Sequence, residues 1–121
     1  MSPRPKAFRL PVREMDLTRS VVEWLRTMGF VALRQNVGQS RYTAKDGTDR
    51  FVKFGFAGLS DVLGILPGGR FLAVETKVGR NTATGSQASF LAEVEAIGGI
   101  GILAYSLDDV SLRLKKEGYV R

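Results

Sequence analysis

The sequence predicts an α/β domain in which a mixed β-sheet is flanked by helices, in the order α-β-β-β-α-β. Three observations point there. Apolar residues recur at helical spacing over residues 14–28, short strand-forming segments separated by turn residues follow over residues 30–78, and the remainder reads as helix, buried strand and helix.

Each element has its own local reason. Residues 1–13 carry three of the four prolines together with Arg4, Lys6 and Arg9, which predicts an extended basic arm ahead of a single domain over residues 14–121. In the first helix Leu17, Val21, Trp24, Leu25 and Met28 form the apolar stripe, Glu23 falls opposite, and Gly29 supplies the stop. Residues 30–34 are short, apolar and rich in strand formers. Residues 41–44 and 50–54 flank Lys45-Asp46-Gly47, a hairpin turn. Residues 61–66 and 71–78, joined by Pro67-Gly68-Gly69, read as neighbouring antiparallel strands. A second helix is expected over residues 86–97, capped by Thr84 or Ser86, phased by Ala88, Leu91, Val94 or Glu95, and Ile97, and ended by Gly98-Gly99. Residues 100–105 read as a buried strand, and residues 108–116 as a helix capped by Ser106 or Asp108.

Composition narrows the chemistry. With 121 residues, 44% of them hydrophobic, the chain can bury one core without staples. It has no cysteine and no histidine, so disulfides, thiolate or imidazole zinc sites, cysteine nucleophiles and histidine general bases are excluded within the chain. Hydrolytic chemistry would fall to carboxylates, lysine and a hard cation. The formal charge is +6, and residues 1–50 hold ten basic against five acidic residues. This surplus favours a polyanionic partner, because Lys and Arg displace counterions from phosphates. The basic amino terminus lacks an apolar segment after it, and residues 96–105 are too short and glycine-rich to span a bilayer, so a cytoplasmic protein with no membrane partner is expected.

Alternation places Glu75 and Lys77 on one face of their strand, with Leu72, Val74, Thr76 and Val78 on the other. Asp61 begins the neighbouring strand, and the Pro-Gly-Gly turn can bring its carboxylate towards Glu75, although the register stays open. Two carboxylates at close range repel, and a divalent cation relieves that repulsion. Without histidine or cysteine, Mg2+ or Mn2+ suits such a site better than zinc. A Glu-x-Lys alone is equally a solvent-facing ion pair on a strand; its place between an acidic strand start and a glycine-containing loop and helix is what singles it out.

The run Ser60-Asp61, then Phe71-Leu72-Ala73-Val74-Glu75-Thr76-Lys77, then Gln87 in the next helix resembles the PD-(D/E)XK nuclease core. Within that superfamily it looks most like the stand-alone VRR-NUC nucleases, and it is also similar to archaeal-type Holliday junction resolvases. The resemblance covers roughly residues 14–105 and implies a restriction-endonuclease-like core. It implies Asp61 and Glu75 as metal ligands assisted by the Thr76 carbonyl, Lys77 as the catalytic lysine, and Gln87 as the glutamine that relatives place in the following helix. An acidic residue in the first helix is also implied, and Glu14 matches it. On a helical wheel Glu14 falls in the apolar sector, where a carboxylate needs a partner; the alternative is a first-turn charge. Ser60 stands where the superfamily has proline, and Thr84-Gly85-Ser86 replaces the usual proline before the glutamine.

Arg34, Arg41, Lys53 and Arg80 lie on strands or loops expected to surround this site and are candidates for phosphate contact. The leading expectation is a metal-dependent, structure-selective DNA endonuclease acting at Holliday junctions or flaps, as a homodimer, because two cuts at a junction need two sites. The competing expectations are a non-catalytic nucleic-acid-binding module and a restriction-type enzyme with a fixed recognition sequence.

Overall fold

The computed structural model describes residues 13–35, 39–53 and 58–121, with the backbone alone for 39–42 and 50–53. All of the expected arm but Arg13, and the side chains of Arg41 and Lys53, lie outside the described residues.

Helix α1 (Glu14–Thr27) buries Leu17, Val21 and Leu25, which share one face at i, i+4 spacing, together with Thr18 and Val22. Glu23 faces outward as expected. Met28 does not join the stripe: it is the C-cap, 40% exposed, just before Gly29 at φ 90°. Four strands form the main sheet in the order β1 (Val31–Arg34), β4 (Val62–Leu66), β5 (Arg70–Thr76), β6 (Ile100–Ala104). β1–β4 and β4–β5 are antiparallel and β5–β6 is parallel, so the sheet is mixed. The parallel pair needs a crossover, which α2 (Gly85–Ala96) supplies, and α3 (Leu107–Lys116) follows β6.

β2 (Gln39–Thr43) and β3 (Asp49–Lys53) form a separate antiparallel hairpin. Its turn is closed by bonds from the Ala44 amide to the Thr48 carbonyl and from the Gly47 amide to the Ala44 carbonyl. The β4–β5 turn is a single 3-10 turn in which Gly68 and Gly69 both have φ 83°, a conformation that a Cβ would strain.

One face of the sheet carries α1 and α3. Leu72, Val74, Ile100, Ile102 and Ala104 pack there with Leu17, Val21, Leu25, Val110 and Leu114. Each fully buried aliphatic side chain contributes about 1.5–3 kcal/mol. The other face carries α2, whose Leu91 and Val94 pack on Ala73. A Cβ at Gly101 would sit 2.7 Å from the Leu91 carbonyl oxygen, so α2 lies against β6 because that position is glycine. Only these two helix residues are buried. Ala88 is exposed, and Ile97, beyond the last turn, is 87% exposed. On this face β1 and β4 present Val31, Leu33 and Ile65 to the surface in a shallow groove with Leu63 and Phe71. Among the described residues no helix is long and apolar enough to cross a membrane.

Candidate active site

Four polar side chains are buried among the described residues, Thr18, Ser60, Glu75 and Thr76, and they converge on the end of the sheet where β4 begins and β5 ends. Burying a polar group is unfavourable unless it is partnered, so such a cluster calls for an account of each bond.

Strand register assembles it. Val62 pairs with Val74, which sets Asp61 beside Glu75 and Thr76, and the Gln35 amide holds the Asp61 carbonyl at 2.7 Å. The Asp61 Oδ2 accepts two bonds from Thr76, from its amide and from its hydroxyl, both 2.9 Å. Behind Thr76, its hydroxyl oxygen lies 2.6 Å from that of Thr18 on α1. Thr76 thus points to the α1 face and Glu75 to the α2 face, as alternation requires.

Lys77 lies just beyond β5, where its amide donates to the Ala104 carbonyl at 2.9 Å and extends the pairing with β6 by one bond. Its Nζ stands 3.5 Å from Glu75 Oε1. Glu75 is 1% exposed, and its Oε2 has no hydrogen-bond partner among the described residues; neither has the buried Ser60 hydroxyl. Burial, first, then the charge and contact of Asp61 push the Glu75 carboxyl up from 4.5 to about 7, and Lys77 only partly opposes them. Lys77 thus pairs with Glu75, and Asp61 brings a second carboxylate to it from across the strand pair.

The donor set is one that a hard divalent cation fits. Both groups supply oxygen, one buried oxygen is unpartnered among the described residues, and Mg2+ commonly takes one or two carboxylates and completes its shell with water and phosphate. Among the described residues no set of three acidic side chains is grouped to hold a metal. Glu14, the expected further ligand, is the half-buried first residue of α1, and its Oε1 accepts from Asn81 Nδ2 at 3.3 Å. Asn81 belongs to the loop after β5, and its carbonyl accepts from the Tyr105 hydroxyl at 2.8 Å.

Gln87 has a local task. Its Oε1 accepts from the Thr84 amide at 2.9 Å, and the Thr84 hydroxyl accepts from the Gln87 amide at 3.3 Å, a reciprocal cap on α2. Arg34 is exposed at the end of β1 opposite Val62, one residue from Asp61, and Arg80 is exposed in the turn beside Asn81. Sequence reasoning missed Thr18 and Asn81. A threonine inside the apolar sector of a helix, one turn before Val21 and Val22, was the available signal for the first; nothing local marks the second.

In comparisons with known proteins, the sequence matches no family model and no curated protein.

Proposed function

We propose that this chain is a metal-dependent nuclease with a restriction-endonuclease-like core, hydrolysing phosphodiester bonds in DNA. The observation that carries the reading is Glu75, buried at the sheet end beside the half-buried Asp61, paired with Lys77 and with one carboxylate oxygen that has no partner among the described residues. A site that holds this much unbalanced charge is costly unless a ligand relieves it, and such sites are commonly functional. A cation bound there would supply an activated water and polarise a phosphate oxygen.

The chain's own groups divide the remaining work. Asp61 and Glu75 would hold the cation. Lys77 orients the attacking water and offsets charge on the pentacoordinate phosphorus. Arg34, paired with Val62 next to Asp61, and Arg80, three residues past Lys77, are exposed and serve phosphate positioning, in keeping with a net charge of +6. Branched DNA, a Holliday junction or a flap, is the substrate class this reading puts first, with a homodimer delivering paired cuts in a cytoplasmic setting.

The test is cleavage of labelled four-way, flap, linear-duplex and single-stranded DNA with Mg2+ or Mn2+, for wild type and Asp61→Ala, with EDTA as control. Metal-dependent cutting that vanishes in Asp61→Ala is expected, and the substrate ranking assigns the class. Binding without cutting under either metal would instead make the chain a nucleic-acid-binding module.

A further inference from the structure

Among the buried polar groups, Thr18 has no part in the chemistry above, yet it is 5% exposed and bonded to a residue 58 positions away. A helical threonine ordinarily returns its hydroxyl to the carbonyl four residues back, and Thr18 Oγ1 does lie 2.9 Å from the Glu14 carbonyl oxygen. It also lies 2.6 Å from Thr76 Oγ1, which in turn lies 2.9 Å from Asp61 Oδ2. These are three contacts for two hydroxyl protons, so one contact goes without a proton.

Relative acceptor strength decides which. The Asp61 carboxylate is charged, and bonds to it are about twice as strong as neutral ones. The Glu14 carbonyl, by contrast, is at a helical position that already receives the amide four residues on. The favoured arrangement therefore runs one way: the Thr18 hydroxyl donates to Thr76, and the Thr76 hydroxyl donates to Asp61 Oδ2. Each donor polarises the next, which strengthens the bond at the carboxylate. With Oδ2 taken by the Thr76 hydroxyl and amide, Oδ1 is the Asp61 oxygen left for a ligand.

Building on the metal site proposed above, we infer that Thr18 is a positioning residue for Asp61: through the hydroxyl of Thr76 it fixes which carboxylate oxygen faces the cation. The Thr76 hydroxyl, deprived of Thr18, would keep its proton but lose the donor that polarises it and the contact that holds its rotamer. Asp61 would then be held by the Thr76 amide and a free-turning hydroxyl.

The experiment is Mn2+ binding by calorimetry to the full chain, comparing wild type with Thr18→Val, Thr18→Ser and Asp61→Ala, with unfolding midpoints measured alongside. Valine has the shape of threonine without the hydroxyl, so the fold is expected to persist; if it does not, Thr18→Ala enters the same comparison. Thr18→Val is expected to weaken Mn2+ binding about tenfold, a usual size for a group that orients a ligand, while Thr18→Ser restores wild-type affinity. In cleavage, the Mn2+ concentration for half-maximal rate rises by the same factor, and kcat at saturating Mn2+ is retained. Wild-type affinity in Thr18→Val, or a Thr18→Ser as weak as Thr18→Val, overturns the role of the hydroxyl while leaving the metal site standing. No Mn2+ binding by wild type overturns the metal site and this inference together.

Discussion

The two ends of β5 both gather charged side chains, and they do so in opposite ways. At its start, Arg70 bonds Glu117 at 3.0 Å and the Gly98 carbonyl at 2.8 Å, while Arg113 bonds Glu117 at 3.0 Å and Glu95 at 2.8 Å. Two cations meet two anions, all with access to solvent, and each holds the other in its ordinary charged state: Glu117 is lowered by Arg113 and then Arg70. At its end, Lys77 pairs with Glu75, and burial and the neighbouring Asp61 drive the Glu75 carboxyl up. The first arrangement ties α2 and α3 to the sheet and asks nothing of a ligand. The second is left with a buried carboxyl whose charge burial opposes and Lys77 only partly offsets. Charged clusters are common in proteins; an unbalanced one below the surface is what separates a working site from a clasp.

The sharpest way to break this contrast is to remove Lys77. Lys77→Ala is expected to lower kcat for Mg2+-dependent DNA cleavage on the order of 10²–10³-fold while DNA binding in a filter or anisotropy assay is kept; undiminished cleavage would deprive the buried end of its catalytic role. Next in size is the response to metal. At a metal concentration about 100 times Kd, a ligand bound only by the folded chain adds about 2.7 kcal/mol, so Mg2+ should raise the Tm of wild type and leave that of Asp61→Ala where it was. Equal shifts in the two proteins would place the metal elsewhere.

The pH dependence tests the imbalance without any metal. A carboxyl whose folded-state value lies above its unfolded one binds its proton more tightly when folded, so stability falls as pH rises from about 4.5 to about 7, and the full penalty stands above that. After allowance for screening at the sheet end, the penalty is on the order of 2 kcal/mol. In EDTA, urea unfolding of Glu75→Gln should therefore match wild type near pH 4.5 and gain on it progressively up to pH 7; parallel curves would mean that the carboxyl is not strained. The smallest effect is expected at the other end, where Arg70→Met should lower Tm by less than Glu75→Gln raises it at pH 8, with cleavage unchanged. A loss of cleavage in Arg70→Met would dissolve the distinction between the two ends.

Most of the fold was legible because its elements carry strong local patterns. The stripe of Leu17, Val21 and Leu25, the hairpin turn at Asp46-Gly47 and the Pro-Gly-Gly link between β4 and β5 each specify an element by themselves, and the structure has them within a residue or two. The stripes were least reliable at helix ends: Met28 and Ile97 continue the spacing on paper but fall on the caps, where the chain has already turned away from the sheet. At the site, alternation along β5 was enough to set Glu75 and Lys77 on one face, and the structure adds the Val62–Val74 register that brings in Asp61. Register depends on how the Pro67–Gly69 turn closes, which no pattern in the strands reveals. Gln87 shows the converse. Its position three residues after Thr84 is also the spacing of a capping box, and that local use is the one the structure displays.

Distance along the chain has a last consequence, for folding. The contacts that tie α1 to the site join residues 14 and 81 and residues 18 and 76, so they span from the first helix to the loop beyond β5. Contacts between such remote positions form only after the intervening segments have closed, at an entropic cost that local turns do not bear. A nascent or partly unfolded chain can hold the β4–β5 hairpin, and with it the Asp61–Glu75 pairing, and still lack the contacts from α1 that back it. Activity would thus appear as one of the final events of folding, and be among the first lost when the two ends of the domain part.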